Sequence, residues 1–108
     1  MPYKLVYITA GNPADAKNIG RELVEKRLAA CVNIIDNMKS IYYWEGKLCE
    51  ENEVVILAKT TDSRVDALID RVKKIHPYKC PCIVVVPIEK GNDDFLKWIR
   101  ESTNPDIS

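Results

Sequence analysis

The segment IHPYKCPCI, residues 75–83, carries the chain's only histidine, His76, and two of its four cysteines, Cys80 and Cys82. An imidazole with two thiolates close by is a donor set for copper or zinc. On a strand, Cys80 and Cys82 share one face while Pro81 points the other way. Two thiolates on one face suit soft Cu(I) better than zinc, which takes four ligands. His76 precedes a proline, which pushes it out of helical geometry and makes it a helix end. There the helix dipole favours the protonated ring, which cannot ligate. The neighbouring Lys79 acts in the same direction, while favouring a thiolate form of the adjacent cysteines. The prolines and Tyr78 of the same segment describe a rigid corner between a helix and a strand. These residues therefore predict a structural corner first and a metal site second. Copper binding is expected to be modest and centred on His76, with Cys80 and Cys82 as further soft ligands. No cofactor is required, and copper or another divalent cation is the metal this donor set admits.

A second group lies in IYYWEGK, residues 41–47. On a strand Tyr42 and Trp44 share one face, and Ile41 and Tyr43 the other. Such aromatics serve as a stacking platform for a ligand or, more commonly, as buried anchors of a subunit interface. Glu53, Val55, Leu57 and Lys59 share a face of the following strand, which puts a carboxylate and an ammonium near its two ends. A lysine beside aromatic faces suits a carboxylate or phosphate. The alternative site is thus one lined by Tyr43, Trp44, Glu53, Lys59 and Tyr78 and taking a small anion.

Several activities find no support. There is no glycine-rich phosphate loop, nucleophile elbow or paired metal motif, so no catalysis is expected. RNA-recognition sheets need stacking aromatics on the third strand, which here reads ENEVVILAKT. Metallochaperones of similar topology carry Cys-x-x-Cys after the first strand, where this chain has TAGNPADA. Sixteen basic residues balance sixteen acidic ones, so no net field draws the chain to nucleic acid or to an anionic membrane. No secretory signal or bilayer-spanning stretch is evident, and scattered cysteines fit reduced thiols, which together predict a cytoplasmic protein.

The elements that must position these groups follow from pattern. The length of 108 residues suits one domain, taken as residues 1–101, with 102–108 as a frayed tail. YKLVYITA is a first strand. Asn12, Pro13 and Asp15 form a helix start, and Ala16, Ile19, Gly20, Leu23, Val24 and Leu28 give one apolar or small-residue face. AACVNIID is a second strand that resumes, after an irregularity near NMKS, as IYYW. Glu45-Gly46 is a hairpin tip, and LCEENEVVILAKT returns as the third strand. TDS caps a second helix, CIVVVPI is a fourth strand, and GNDDFLKWIR is a short third helix capped by Asn92. The order β-α-β-β-α-β predicts an α+β, ferredoxin-like sandwich with an antiparallel sheet, a long hairpin between its second and third strands and an extra C-terminal helix. Helices cover only one side of such a sheet, yet LVYI, VVILA and CIVVVPI are apolar on both faces. A helix of about ten residues is too short to cover four strands (~1.5 Å per residue). A homo-oligomer is therefore expected to bury the other face.

Taken in order, KRLAACVNI, SIYYWEGKL, ENEVVILAKT, IHPYKCPCIVVVPI and GNDDFLKWI resemble the CutA family of divalent-cation tolerance proteins, over about residues 3–100. The motif positions carried over are Asn33, Tyr43, Trp44, Glu45, Gly46, Lys47, Glu53, Lys59, Thr60, His76, Pro77, Tyr78 and Pro81. Lys79 departs from the acidic or amide residue many members have after HPY. The resemblance implies a cytoplasmic homotrimer of ferredoxin-like subunits, linked to copper tolerance and, in some members, to copper binding. It also implies a likeness to the PII signalling trimers, which bind nucleotides and small effectors between subunits.

Overall fold

The computed structural model describes residues 2–106. Its elements run β1 (Tyr3–Ala10), α1 (Pro13–Glu25), β2 (Cys31–Trp44), β3 (Lys47–Thr61), α2 (Val65–Ile75), β4 (Ile83–Pro87) and α3 (Asp93–Ser102), with a 3-10 turn at Asp62–Arg64 before α2. The sheet is antiparallel in the order β2-β3-β1-β4, so β1 and β3 are central and the ferredoxin-like arrangement is present.

Local chemistry accounts for the boundaries. Asn12 accepts the Asp15 amide at 2.8 Å and Pro13 occupies the first helical turn. Helix α1 then stops in a Schellman motif: Leu28 N–H donates to Leu23 O at 2.8 Å and Arg27 N–H to Val24 O at 3.0 Å. Arg27 holds the left-handed position (φ 58°) that glycine usually fills, and its guanidinium donates to Ser102 O at 3.2 Å. Leu28 thus joins the core from beyond the helix rather than from its face. The hairpin tip has Glu45 at φ 51° and Gly46 at φ 78°, the two-residue turn whose twist matches the strands. The irregularity expected near NMKS is a register shift between Ile35 and Met38, with Asn37 at φ 63°. TDS forms the 3-10 turn instead of a cap, and no side chain caps α2.

One face of the sheet packs on α1 and α2. Val6, Ile8, Ala10, Val54, Ile56 and Ala58 meet Ala16, Ile19, Leu23, Leu68 and Val72 there, all 0–1 % exposed. Glu22 on α1 accepts two bonds from the Arg71 guanidinium of α2 and ties the helices across their outer side. That hydrogen bond, aided by the charges of Arg71 and Lys26, holds the Glu22 carboxyl below the usual carboxylate range despite partial burial. On the other face, Ile35, Val84 and Val86 remain 52 %, 50 % and 46 % exposed, and Phe95 and Trp98 of α3 are similarly open. Beyond residue 53, toward the tip, β3 pairs only with β2, so the hairpin projects as a two-stranded arm, and the molecule with its arm measures 45 × 27 × 22 Å.

Two expectations are corrected. Strand β4 begins at Ile83, because Pro81 has no amide to donate and Cys82 reaches β1 only through its carbonyl, accepting Thr9 N–H at 3.4 Å. Cys80 and Cys82 therefore do not lie on a strand. The ordered chain also runs past residue 101. Helix α3 ends at Ser102, and Thr103 is buried with its hydroxyl donating to Ile99 O at 2.8 Å. The last two residues of the expected tail lie outside the described residues.

Candidate functional site

Helix α2 ends one residue before Pro77. His76 takes extended geometry (φ −75°, ψ 133°) and gives its amide to Val72 O at 2.8 Å. The His76 ring is 7 % exposed, and both nitrogens are engaged. Nδ1 accepts Tyr78 N–H at 3.1 Å, so that nitrogen bears no proton, and Nε2 donates to Thr9 O at 2.7 Å. His76 thus locks the corner to the end of β1. The Tyr78 amide needs an accepting nitrogen, which a doubly protonated ring does not offer. Ligation by His76 would cost one of these buried bonds, since neither nitrogen has a free lone pair.

The Tyr78 ring leans on His76, with centroids 4.8 Å apart at 54°. Its hydroxyl fills the space above Gly11, where a Cβ would stand 2.7 Å away. Burial pushes the Tyr78 hydroxyl pKa upward, reinforced by the charges of Glu53, Glu51 and Asp15. Cys80 and Cys82 project from the outside of the corner and are exposed. Among the described residues, no group of three or more His, Cys, Asp or Glu side chains could hold a metal ion. A site needing four protein ligands does not fit one chain; two exposed thiols fit only an ion content with two soft donors.

The residues of the expected anion cleft are not gathered in one chain. Glu53 acts on Tyr78 only through its charge, which helps to raise the phenol pKa. Tyr43 pairs with Leu48 and Trp44 with Lys47 at the hairpin tip, 75 % and 57 % exposed. Lys59 lies at the opposite end of β3, eleven residues from Leu48 or roughly 36 Å along the strand. There it pairs with Cys31, donates to Asn33 Oδ1 and to Cys31 Sγ (3.6 Å), and stands 5.8 Å from the Phe95 ring centre. The sequence reading missed the Lys59–Cys31 contact, because 28 residues separate the two and only the register of β2 on β3 joins them. Tyr43, Trp44, Glu53, Lys59 and Tyr78 do not line the grooves that run beside α1 or between β1 and the end of α3.

A split βαβ sheet with a projecting hairpin, a histidine-locked corner and an added C-terminal helix defines a narrow class of ferredoxin-like domains. The chain belongs to the CutA1 divalent ion tolerance protein family, whose pattern it matches over residues 4–102. It is 46 % identical over 100 residues to the divalent-cation tolerance protein CutA of Thermus thermophilus, covering 93 % of this chain and 97 % of that one. The Thermus thermophilus structure superposes with a TM-score of 0.92 at 45 % identity, covering 94 % and 99 % of the two chains. A CutA homolog of Xenopus laevis is 48 % identical over 95 residues, 88 % of this chain but 63 % of that protein, so the chain spans less than two thirds of this relative. The Archaeoglobus fulgidus structure, described as a periplasmic divalent cation tolerance protein, has a TM-score of 0.92 at 41 % identity, with 94 % and 99 % covered. No helix among the described residues is long and apolar enough to cross a membrane.

Proposed function

We propose that this chain works as a non-enzymatic, cytoplasmic homotrimer in divalent-cation tolerance, binding copper weakly and without needing it to fold. The observation that carries the assembly is the uncovered apolar face of Ile35, Val84, Val86, Phe95 and Trp98. Full burial of one such side chain is worth about 1.5–3 kcal/mol, so removing the exposed half of five of them strongly favours association. The exposed Tyr43, Trp44, Ile41 and Leu48 of the arm supply the contacts that a neighbouring subunit needs. A non-enzymatic role agrees with His76, whose nitrogens are both held and unavailable as a general base. Four free thiols, two of them exposed, fit a reducing cytoplasm.

Copper affinity is assigned to Cys80 and Cys82 in place of His76, because only the thiols are free. In a reducing compartment the ion is Cu(I), which two sulfurs satisfy. Light scattering behind size exclusion, in the presence of chelator, is expected to give three times the chain mass. A monodisperse monomer would remove the assembly from this reading. Titration of Cu(I) against a competing chelator should give modest affinity that falls on acidification and is lost in Cys80→Ser/Cys82→Ser. Retention of wild-type affinity in that double variant would refute the thiol assignment.

A further inference from the structure

We propose that Cys31 and Lys59 form an oxidation-driven covalent bridge, a sulfenamide, across the base of β2 and β3. The two residues are direct cross-strand partners, and Lys59 Nζ donates to Cys31 Sγ at 3.6 Å. Lys59 is held in place by Asn33 Oδ1 and by the Phe95 ring, so its amine does not sweep through solvent. Cys31 is half-buried, so its thiol keeps part of its contact with solvent, on the sheet face opposite α1.

Topology decides what an oxidised Cys31 can do next. A sulfenic acid condenses with a thiol, condenses with a nitrogen, or proceeds to sulfinic acid. No thiol of the same chain is at hand. Cys49 pairs with Tyr42, ten residues up the arm, and Cys80 and Cys82 precede β4 at the far edge of the sheet. The nucleophile already hydrogen-bonded to the sulfur is the Lys59 amine.

In the first step the Cys31 thiolate attacks one oxygen of a hydroperoxide. The O–O bond breaks, sulfur is oxidised by two electrons, and for hydrogen peroxide the second oxygen leaves as water after taking a proton. In the second step Lys59, having given one proton to solvent, attacks sulfur through its nitrogen lone pair. The S–O bond breaks, the hydroxyl leaves as water with a proton from that nitrogen, and a neutral S–N bond remains. The product lacks two hydrogens relative to the reduced protein. Excess thiol reverses it, attacking sulfur to release the amine and then reducing the mixed disulfide. Bridging removes the Lys59 charge and staples the two strands at the end of β2 farthest from the arm, which makes it a reversible record of peroxide exposure. The bridge is independent of copper and of the Cys80–Cys82 assignment.

The experiment uses Cys49→Ser/Cys80→Ser/Cys82→Ser, which keeps Cys31 as the sole thiol. After treatment with stoichiometric hydrogen peroxide, intact mass should fall by two hydrogens. Peptide mapping should show tryptic cleavage lost after Lys59, a Cys31–Lys59 cross-link, and restoration of both by dithiothreitol. Adding Lys59→Arg should divert Cys31 to the sulfinic acid, a gain of two oxygens with no cross-link. Oxygen addition alone in the protein that retains Lys59 would overturn the proposal. So would an unreacted Cys31, or a bridge to any other amine.

Discussion

His76 shows how a residue that looks like a ligand becomes part of the scaffold. Its ring joins a helix end, a strand carbonyl and the Tyr78 amide, and leaves no nitrogen for other chemistry. His76→Ala would orphan the Thr9 carbonyl and the Tyr78 N–H in a buried place, at about 1–3 kcal/mol for an unsatisfied group. Urea denaturation of the variant should report a loss of that size, while its copper affinity stays at the wild-type value. Unchanged stability would remove the lock. A second residue-scale expectation concerns Tyr42, whose pKa is pushed up to about 12, chiefly by its hydrogen bond to Glu51. A raised folded-state pKa means that the folded protein holds the phenolic proton more tightly than the unfolded chain, which releases it near pH 10. The stabilisation is therefore fully present below about pH 10 and is lost as pH rises through about 12. Ultraviolet titration of wild type and Tyr42→Phe should assign the last phenolate to appear to Tyr42.

At the level of elements, the strands and helices were legible because their patterns were local. Unbroken apolar runs marked β1 and β3, Asn12-Pro13 and Asn92 marked two helix starts, and Glu45-Gly46 marked the tip. The corner before β4 was misjudged because composition does not say where pairing begins; that depends on which β1 groups still lack partners. The C-terminal end of α1 was legible only in part. Arg27 sits where a glycine would have signalled the stop, and its distant bond to Ser102 is invisible to any local window. Lys59 is legible in the sequence as a polar residue on a strand, but its partners come from register, which no single strand reveals. Packing between elements yields a further test at Gly20, where a Cβ would stand 2.7 Å from Cγ2 of Val32. The methyl group gains up to about 1 kcal/mol in helix propensity. Overpacking against a stiff valine costs about 1–3 kcal/mol, so Gly20→Ala should lower the thermal midpoint despite improving the helix. A raised midpoint would mean that α1 shifts freely on β2.

For the whole molecule, the decisive feature is the sheet's second face. Val84 and Val86 are half-exposed in the single chain, so a lysine at either position should cost the subunit little. In an assembly that buries them, the same charge would be desolvated without a partner. Val84→Lys/Val86→Lys is thus expected to fold, by circular dichroism, yet scatter light as a single chain. A variant that still assembles would move the interface elsewhere. The register also sets an order in time. Trp44 pairs with Lys47 across the tip, whereas Lys4 pairs with Pro87 near the opposite end of the sequence. A hairpin closes in about 1–10 μs, but bringing β4 to β1 must wait for a far larger loop to close. The bond from His76 to Thr9 belongs to that late closure, since it joins the segment leading into β4 to the end of β1. The corner therefore acts as a latch set after the barrier has been crossed. Stopped-flow chevrons of His76→Ala should show folding at the wild-type rate and unfolding accelerated by nearly the whole loss in stability, so that this one ring governs how long a folded subunit lasts rather than how soon it forms.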